Sequence, residues 1–141
     1  MPALSLQFKF DIGTSTNTAT SVAIPSTQNS WPDSSLTFRS HPEKGAGYYG
    51  ATSGFHTVTY TVTPNFLGTL TTQATLATAP AEADWFTVDN STVTYANLVN
   101  PVLTTTTNFV NFTGNFVWIR ALVQRTADQP NGSVVAVNYN F

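Results

Sequence analysis

The chain has 141 residues, a formal net charge of -2 and no cysteine, which excludes a disulfide framework, a thiolate metal site and a cysteine nucleophile. Only 9% of the residues are charged, against about 25% in an ordinary globular domain, and five Lys and Arg cannot build a surface that tracks phosphates. Nucleic acid is therefore not an expected partner, whereas 41% hydrophobic and 13% aromatic residues supply a core without staples, so 1–141 is expected to form a single domain.

Alternation with period two dominates, and no helical periodicity runs through three turns, so the chain is expected to be all-β. In "ALSLQFKFDI", Leu4, Leu6, Phe8, Phe10 and Ile12 face one way and Ser5, Gln7, Lys9 and Asp11 the other, the pattern of a half-buried strand. This opening lacks the basic segment and long apolar run of a secretory signal, and no stretch approaches the roughly 18 apolar residues of a membrane span. The expectation is a chain made in a cytoplasm, without membrane association.

Further strands are expected at 21–24 and 36–39, and then in "HTVTYTV", where Val58, Tyr60 and Val62 point inward and Thr57, Thr59 and Thr61 outward. Others follow at 67–77, 85–88, 92–96, 105–112, 115–125 and 134–141. The turn signals "TPN", "APAEAD", "VDNS", "VNP", "FTGN" and "DQPNG" separate them. Eight to ten short strands with this punctuation point to a sandwich or barrel, of which one antiparallel β-sandwich is the prediction.

Within "GNFVWIRALVQR", alternation puts Val117, Ile119, Ala121 and Val123 on one face and Phe116, Trp118 and Leu122 on the other, with Arg120 among them. A strand apolar on both faces belongs in the middle of its sheet, and its second face needs a cover: a loop, a terminal strand or another subunit. Arg120 is expected either to lay its stem over apolar surface or to present its guanidinium to a carboxylate. Trp and Arg are also frequent at interface hot spots, so a homo-oligomer or a particle-bound protein is expected, with Trp118 and Arg120 close to the contact.

Catalytic chemistry finds little support. His56 alternates with core positions and reads as a structural histidine at the core rim. His41 stands beside Glu43, but a metal site needs three or four convergent ligands. Asp33, Glu82, Asp84 and Asp89 lie beside Pro or in turn clusters, where acidic residues cap backbone amides. No G-x-S-x-G and no phosphate-binding glycine loop occurs. The N-x-S/T sequons at Asn90, Asn111 and Asn131 match the about three that this composition produces by chance. Neither enzymatic activity, nor a cofactor, nor a metal is expected.

What replaces charge is Ser and Thr, about a quarter of the chain, with Asn. Such a surface tolerates close neighbours because few ions must be desolvated. The glycine-rich loop "GAGYYGATSG", 45–54, offers Tyr48 and Tyr49 either to a sugar or to a neighbouring subunit, where tyrosine is enriched.

Two segments together carry a family resemblance. "GYYGATSGFHTVTYTVTPNFLGTLTTQATLATAPAEADWFTV", 47–88, and "FTGNFVWIRALV…NGSVVAVNYNF", from Phe112 to the end, are similar to segments recurring in structural proteins of tailed bacteriophages. The shared features are an HT strand, an F-x-G-x-L turn into QATLA, P-x-x-x-DWF, and G-N-F-x-W-I-R-A. This resemblance implies an immunoglobulin-like β-sandwich, with a jelly roll as the alternative, in a virion component that works by assembly. Its partners would be other virion proteins, capsid or tail. The chain would attach itself to the particle surface without a fused shaft, as a decorating or stabilising protein. The expected interface residues are Trp118, Arg120, Phe116, Leu122, Tyr48 and Tyr49. The alternative is a carbohydrate-binding module that meets a glycan through Tyr48, Tyr49 and Trp31.

Overall fold

The computed structural model describes residues 5–10, 37–50, 54–64, 66–95, 104–125 and 134–140. Among the described residues there are ten strands, one 3-10 turn at Glu82–Asp84 and no α-helix. The first sheet orders β1 (Ser5–Gln7), β10 (Val134–Asn140), β4 (Phe55–Val62) and β8 (Thr106–Thr113) side by side. The second orders β2 (Thr37–Arg39), β9 (Trp118–Arg125), β5 (Gly68–Thr75) and β6 (Phe86–Thr87); β3 (Glu43–Lys44) adds to β9 and β7 (Val93–Tyr95) to β5. Every pairing is antiparallel, and one apolar cluster joins the inner faces of both sheets, so the fold is an all-β antiparallel sandwich. The strand expected at 21–24 lies outside the described residues.

Alternation decides which side chains reach that core. On β4, His56, Val58, Tyr60 and Val62 are buried while Thr57, Thr59 and Thr61 stay half-exposed. Facing them from the second sheet are Leu70 and Ala74 of β5 and Ile119, Ala121 and Val123 of β9. Two core hydroxyls are paired across the layers: Tyr60 donates to the Ser91 carbonyl (2.7 Å) and meets the Thr72 hydroxyl at 2.8 Å. With its one proton committed to Ser91, the phenol accepts from Thr72.

The amino-terminal alternation survives a change of sheet. β1 pairs with β10, and Phe8 N–H still donates to the Val137 carbonyl (2.9 Å). Then Lys9 accepts from His41 N–H (2.9 Å) and Phe10 bridges Ser40, beside the second sheet. Phe8 and Phe10 are fully buried because the segment keeps one flank on the inter-sheet space while its pairing partner changes. One uninterrupted sequence pattern therefore spans a strand and an isolated bridge.

β9 lies between β2 and β5, the central position that its two apolar faces require. Its outer face is covered by its own chain. Residues 76–85 follow β5 back across the sheet: the Trp118 indole N–H donates to the Thr78 carbonyl (3.0 Å) and the Arg120 guanidinium lies 4.3 Å over the Trp85 ring. Tyr48 from the glycine loop meets the Trp118 ring edge-on, centroids 5.2 Å apart.

Candidate functional site

Residues 45–50 owe their glycines to backbone proximity. Gly45 and Gly47 N–H donate to the carbonyls of Val117 and Phe116, both at 2.8 Å, tying the loop to the lead into β9. A Cβ on Gly47 would lie 2.1 Å from the Asn115 carbonyl oxygen, so no larger residue fits there. Gly50 instead has open space around it and a left-handed φ of 68°. The loop is thus anchored at its start, and it presents Tyr48 (47% exposed) and Tyr49 (55% exposed) beside Trp118. The Tyr48 and Tyr49 rings meet at 5.5 Å and the Lys44 ammonium lies 4.6 Å over Tyr48, which makes an aromatic row Tyr49–Tyr48–Trp118 with one cation at its side.

Arg120 is 6% exposed and fully engaged within the chain. It donates through Nε to Gln73 Oε1 (2.8 Å) and through both terminal nitrogens to Glu82. Arg39 adds a second cation 3.4 Å from Glu82. The hydrogen bond from Arg120 is the leading reason that the Glu82 carboxyl sits below the usual carboxylate range. Leu122 is half-buried on the same outer face. Phe116 parts from that group: β9 begins only at Trp118, and the Phe116 ring turns toward His56, Phe112 and Phe86 at 5.7, 6.1 and 5.7 Å. The structure therefore gathers Tyr48, Tyr49, Trp118, Arg120 and Leu122 on one side of the second sheet and moves Phe116 to the end of the core. Trp31 lies outside the described residues.

His56 is a core side chain, 2% exposed, stacked between Phe112 (5.1 Å) and Tyr139 (5.7 Å) with both ring pairs within 10° of parallel. Ala46 N–H donates to its Nε2 at 3.4 Å, which needs that nitrogen unprotonated. Burial pushes the His56 pKa below 6.5, partly opposed by backbone hydrogen bonds with Gly54 and Phe112. Glu43 moves the other way, raised by burial against the pull of Lys9, His41 and Lys44. Among the described residues no three His, Asp or Glu side chains converge as a metal site would need. Of the acidic turn residues, Asp84 does cap, accepting from Ala81 N–H at 2.8 Å, whereas Glu82 serves Arg120.

A feature not anticipated from the sequence is a cleft of about 570 Å³ at the margin of the sandwich, where β4 begins, β8 ends and β6 runs into the 88–90 turn. Phe112 and Phe116 lie within it, Phe55 and Phe86 stand exposed beside them, and Asp89, Asn90 and Asn111 supply polar groups. One signal was available: Phe55 precedes inward His56 and so alternates outward, an exposed aromatic where threonine follows. Phe86 carries no such mark, because its exposure depends on how 76–87 crosses the sheet.

No family model and no curated protein matches the chain. Among solved structures it is similar to reduced XRCC1 bound to the DNA polymerase β catalytic domain, with a TM-score of 0.50 and 11% identity over 98% of each chain. It is also similar to the CBM36-1 domain of a multidomain xylanase from the hindgut metagenome of Trinervitermes trinervoides, with a TM-score of 0.49 and 11% identity over 99% of this chain and 97% of that one. A third is the K2 cleaved adhesin domain of Lys-gingipain, with a TM-score of 0.48 and 11% identity over 74% of this chain, which spans 64% of that one. At 11% identity the first likeness is one of fold alone.

Proposed function

We propose that this chain is a structural component of a bacteriophage particle, on the capsid or tail surface, that acts by contact and catalyses no reaction. The supporting observation is the outer face of the first sheet. The outward positions of β4 and β8, in register, carry Thr, Asn and Phe, and those of β10 carry Asn138, Asn140 and, at the bulge, exposed Val135; none is charged. Phe55 (67% exposed) and Phe109 (66% exposed) stand on this face. Its polar side chains are partly held already, Thr57 donating to Asn111 Oδ1 at 2.7 Å and the Thr61 and Thr107 hydroxyls meeting at 2.8 Å. A neighbour docking over β4 and β8 desolvates no ion and finds two apolar anchors, which is the composition of interface centres, while Lys9 and Glu43 stand beside Asn138 at the β1 edge. The resemblance of 47–88 and of the carboxy-terminal segment to phage structural proteins is the ground for taking that particle to be a phage. Mass spectrometry of purified phage particles tests this: the chain should be present in many copies, at a fixed ratio to the major capsid or tail protein. Its absence from particles would overturn the reading.

A second reading, a carbohydrate-binding module, draws on the edge-to-face row Tyr49–Tyr48–Trp118, in which the two exposed tyrosine rings offer faces to the apolar side of a sugar. On a glycan array, binding that disappears with Tyr49→Ala supports it.

A further inference from the structure

The cleft at the sandwich margin differs in chemistry from the tyrosine row, and we infer that it is a binding site for an uncharged oligosaccharide. The inference rests on the carbohydrate-binding reading for its class of ligand alone and moves the site from the tyrosine row to this cleft; the particle reading is tested separately.

The volume, about 570 Å³, lies within the about 300–1,000 Å³ typical of clefts that hold small ligands. Its apolar surface is aromatic: Phe86 meets Phe116 edge-on at 5.7 Å, and Phe116 leans against Phe112. Phe55 and Phe86 remain 67% and 41% exposed, so two rings are open to a ligand. Flat rings of this kind cover the C–H faces of a pyranose, which ordinary aliphatic pockets do not match in shape.

The polar groups are as informative. Asn90, Asn111, Thr87 and Thr113 are amides and hydroxyls, able both to donate and to accept, as a sugar hydroxyl requires. Among the described residues neither Lys nor Arg lines the cleft and Asp89 does, so a phosphate, sulfate or carboxylate on the ligand would meet repulsion without a counter-charge. A nucleotide or an acidic sugar is disfavoured on that ground.

The rim is also held in place before any ligand arrives. Val88 N–H donates to the Thr72 carbonyl (3.0 Å), and the Ser91 hydroxyl donates to the Val88 carbonyl (2.6 Å) while accepting from Thr72 N–H (3.2 Å). Asn90, between them, adopts the left-handed conformation at φ 62°, which asparagine accepts more readily than other non-glycine residues. A turn held in this way adds no backbone ordering cost on binding, only that of its exposed side chains.

The test is a glycan array of neutral, sialylated and sulfated oligosaccharides, followed by calorimetry of the best neutral ligand with the wild-type chain, Phe55→Ala, Phe86→Ala and Tyr49→Ala. Both phenylalanines are exposed, so their variants should fold, and circular dichroism verifies that they do. The expected result is selective retention of a neutral glycan, weakened about tenfold or more in Phe55→Ala and Phe86→Ala and unchanged in Tyr49→Ala. Preference for the anionic sugars would overturn the proposal. Loss in Tyr49→Ala with full binding by both phenylalanine variants would overturn the cleft and leave the carbohydrate reading on the tyrosine row. Retention of no glycan would overturn both.

Discussion

Arg120, in the interior of β9, grips Glu82 of the 3-10 turn with a two-pronged ion pair, Nη2 to Oε1 at 2.6 Å and Nη1 to Oε2 at 3.1 Å. The pair is lopsided: the arginine side chain is 8% exposed and the glutamate 69%. Its worth should therefore lie between the ~0–1 kcal/mol of an exposed pair and the ~3–5 kcal/mol lost when a buried pair is broken. Glu82→Gln is expected to lower stability by about 1–3 kcal/mol. Arg120→Lys should cost a similar amount, because an ammonium cannot reproduce the fork or lie flat over Trp85. Urea unfolding followed by tryptophan fluorescence measures both; an unchanged midpoint in both variants would mean that this pair does not hold 76–87 on the sheet.

The glycine loop gives a sharper contrast, because two glycines are required for different reasons. Gly47→Ala would drive a methyl group to 2.1 Å from the Asn115 carbonyl oxygen, where only backbone can yield, and the expected cost is about 3 kcal/mol or more. Gly50→Ala meets no atom within 4 Å and suffers only the left-handed backbone, about 1–2 kcal/mol. Chemical denaturation of the two variants should rank them in that order. Equal, small effects would contradict the close approach of loop and strand.

How far the sequence disclosed this fold can be judged from the same elements. "HTVTYTV" revealed β4 and its inward side chains because a two-residue period needs no knowledge of the partner strand. Central placement of "WIRALVQR" followed from two apolar faces. What remained hidden was long-range. Glu82 read as a turn residue because nothing local links it to an arginine 38 positions away. Phe116 read as a member of the outer face because alternation was extended two residues past the true start of β9. The cleft depends on Phe55 of one sheet and Phe86 of the other lining the same space, a relation that periodicity does not encode. The tyrosine row was half legible: Tyr48 and Tyr49 are adjacent in sequence, but Trp118 joins them only through the backbone contacts of Gly45 and Gly47.

His56 should make stability depend on pH. The unfolded chain takes up a proton on this imidazole near pH 6.5, while the folded chain resists it because burial lowers the pKa. The folded state thus binds fewer protons, so the contribution of His56 is fully present above pH 6.5 and declines as pH falls through that value toward the lower folded pKa. Glu82, also depressed on folding, acts with the same sign but below its ordinary value of 4.5. The melting temperature should therefore fall between pH 7.5 and 5.5 in the wild-type chain and fall less in His56→Gln, which will be the less stable protein at pH 7.5. An equal slope in the two would show that the neutral imidazole is not what the fold selects.

Phe109 and Trp118 separate the two surfaces on which assembly could rest. Phe109 projects from β8 opposite Thr59 and is 66% exposed. Phe109→Ser should leave the urea midpoint within about 0.5 kcal/mol of wild type, as exposed substitutions usually do. Trp118, by contrast, is tied to Thr78 by its indole N–H and packed against Tyr48, so Trp118→Ala loosens 76–85 from β9 and should cost about 1–3 kcal/mol, less than the truncation of a fully buried tryptophan. If the uncharged face of the first sheet is what meets the particle, Phe109→Ser will be folded yet missing from purified phage, and light scattering will report any self-association of the free chain weakened in parallel. Incorporation of Phe109→Ser at the wild-type level would move the contact elsewhere. Loss of incorporation by Trp118→Ala without loss of stability would place it on the second sheet, beside Arg120.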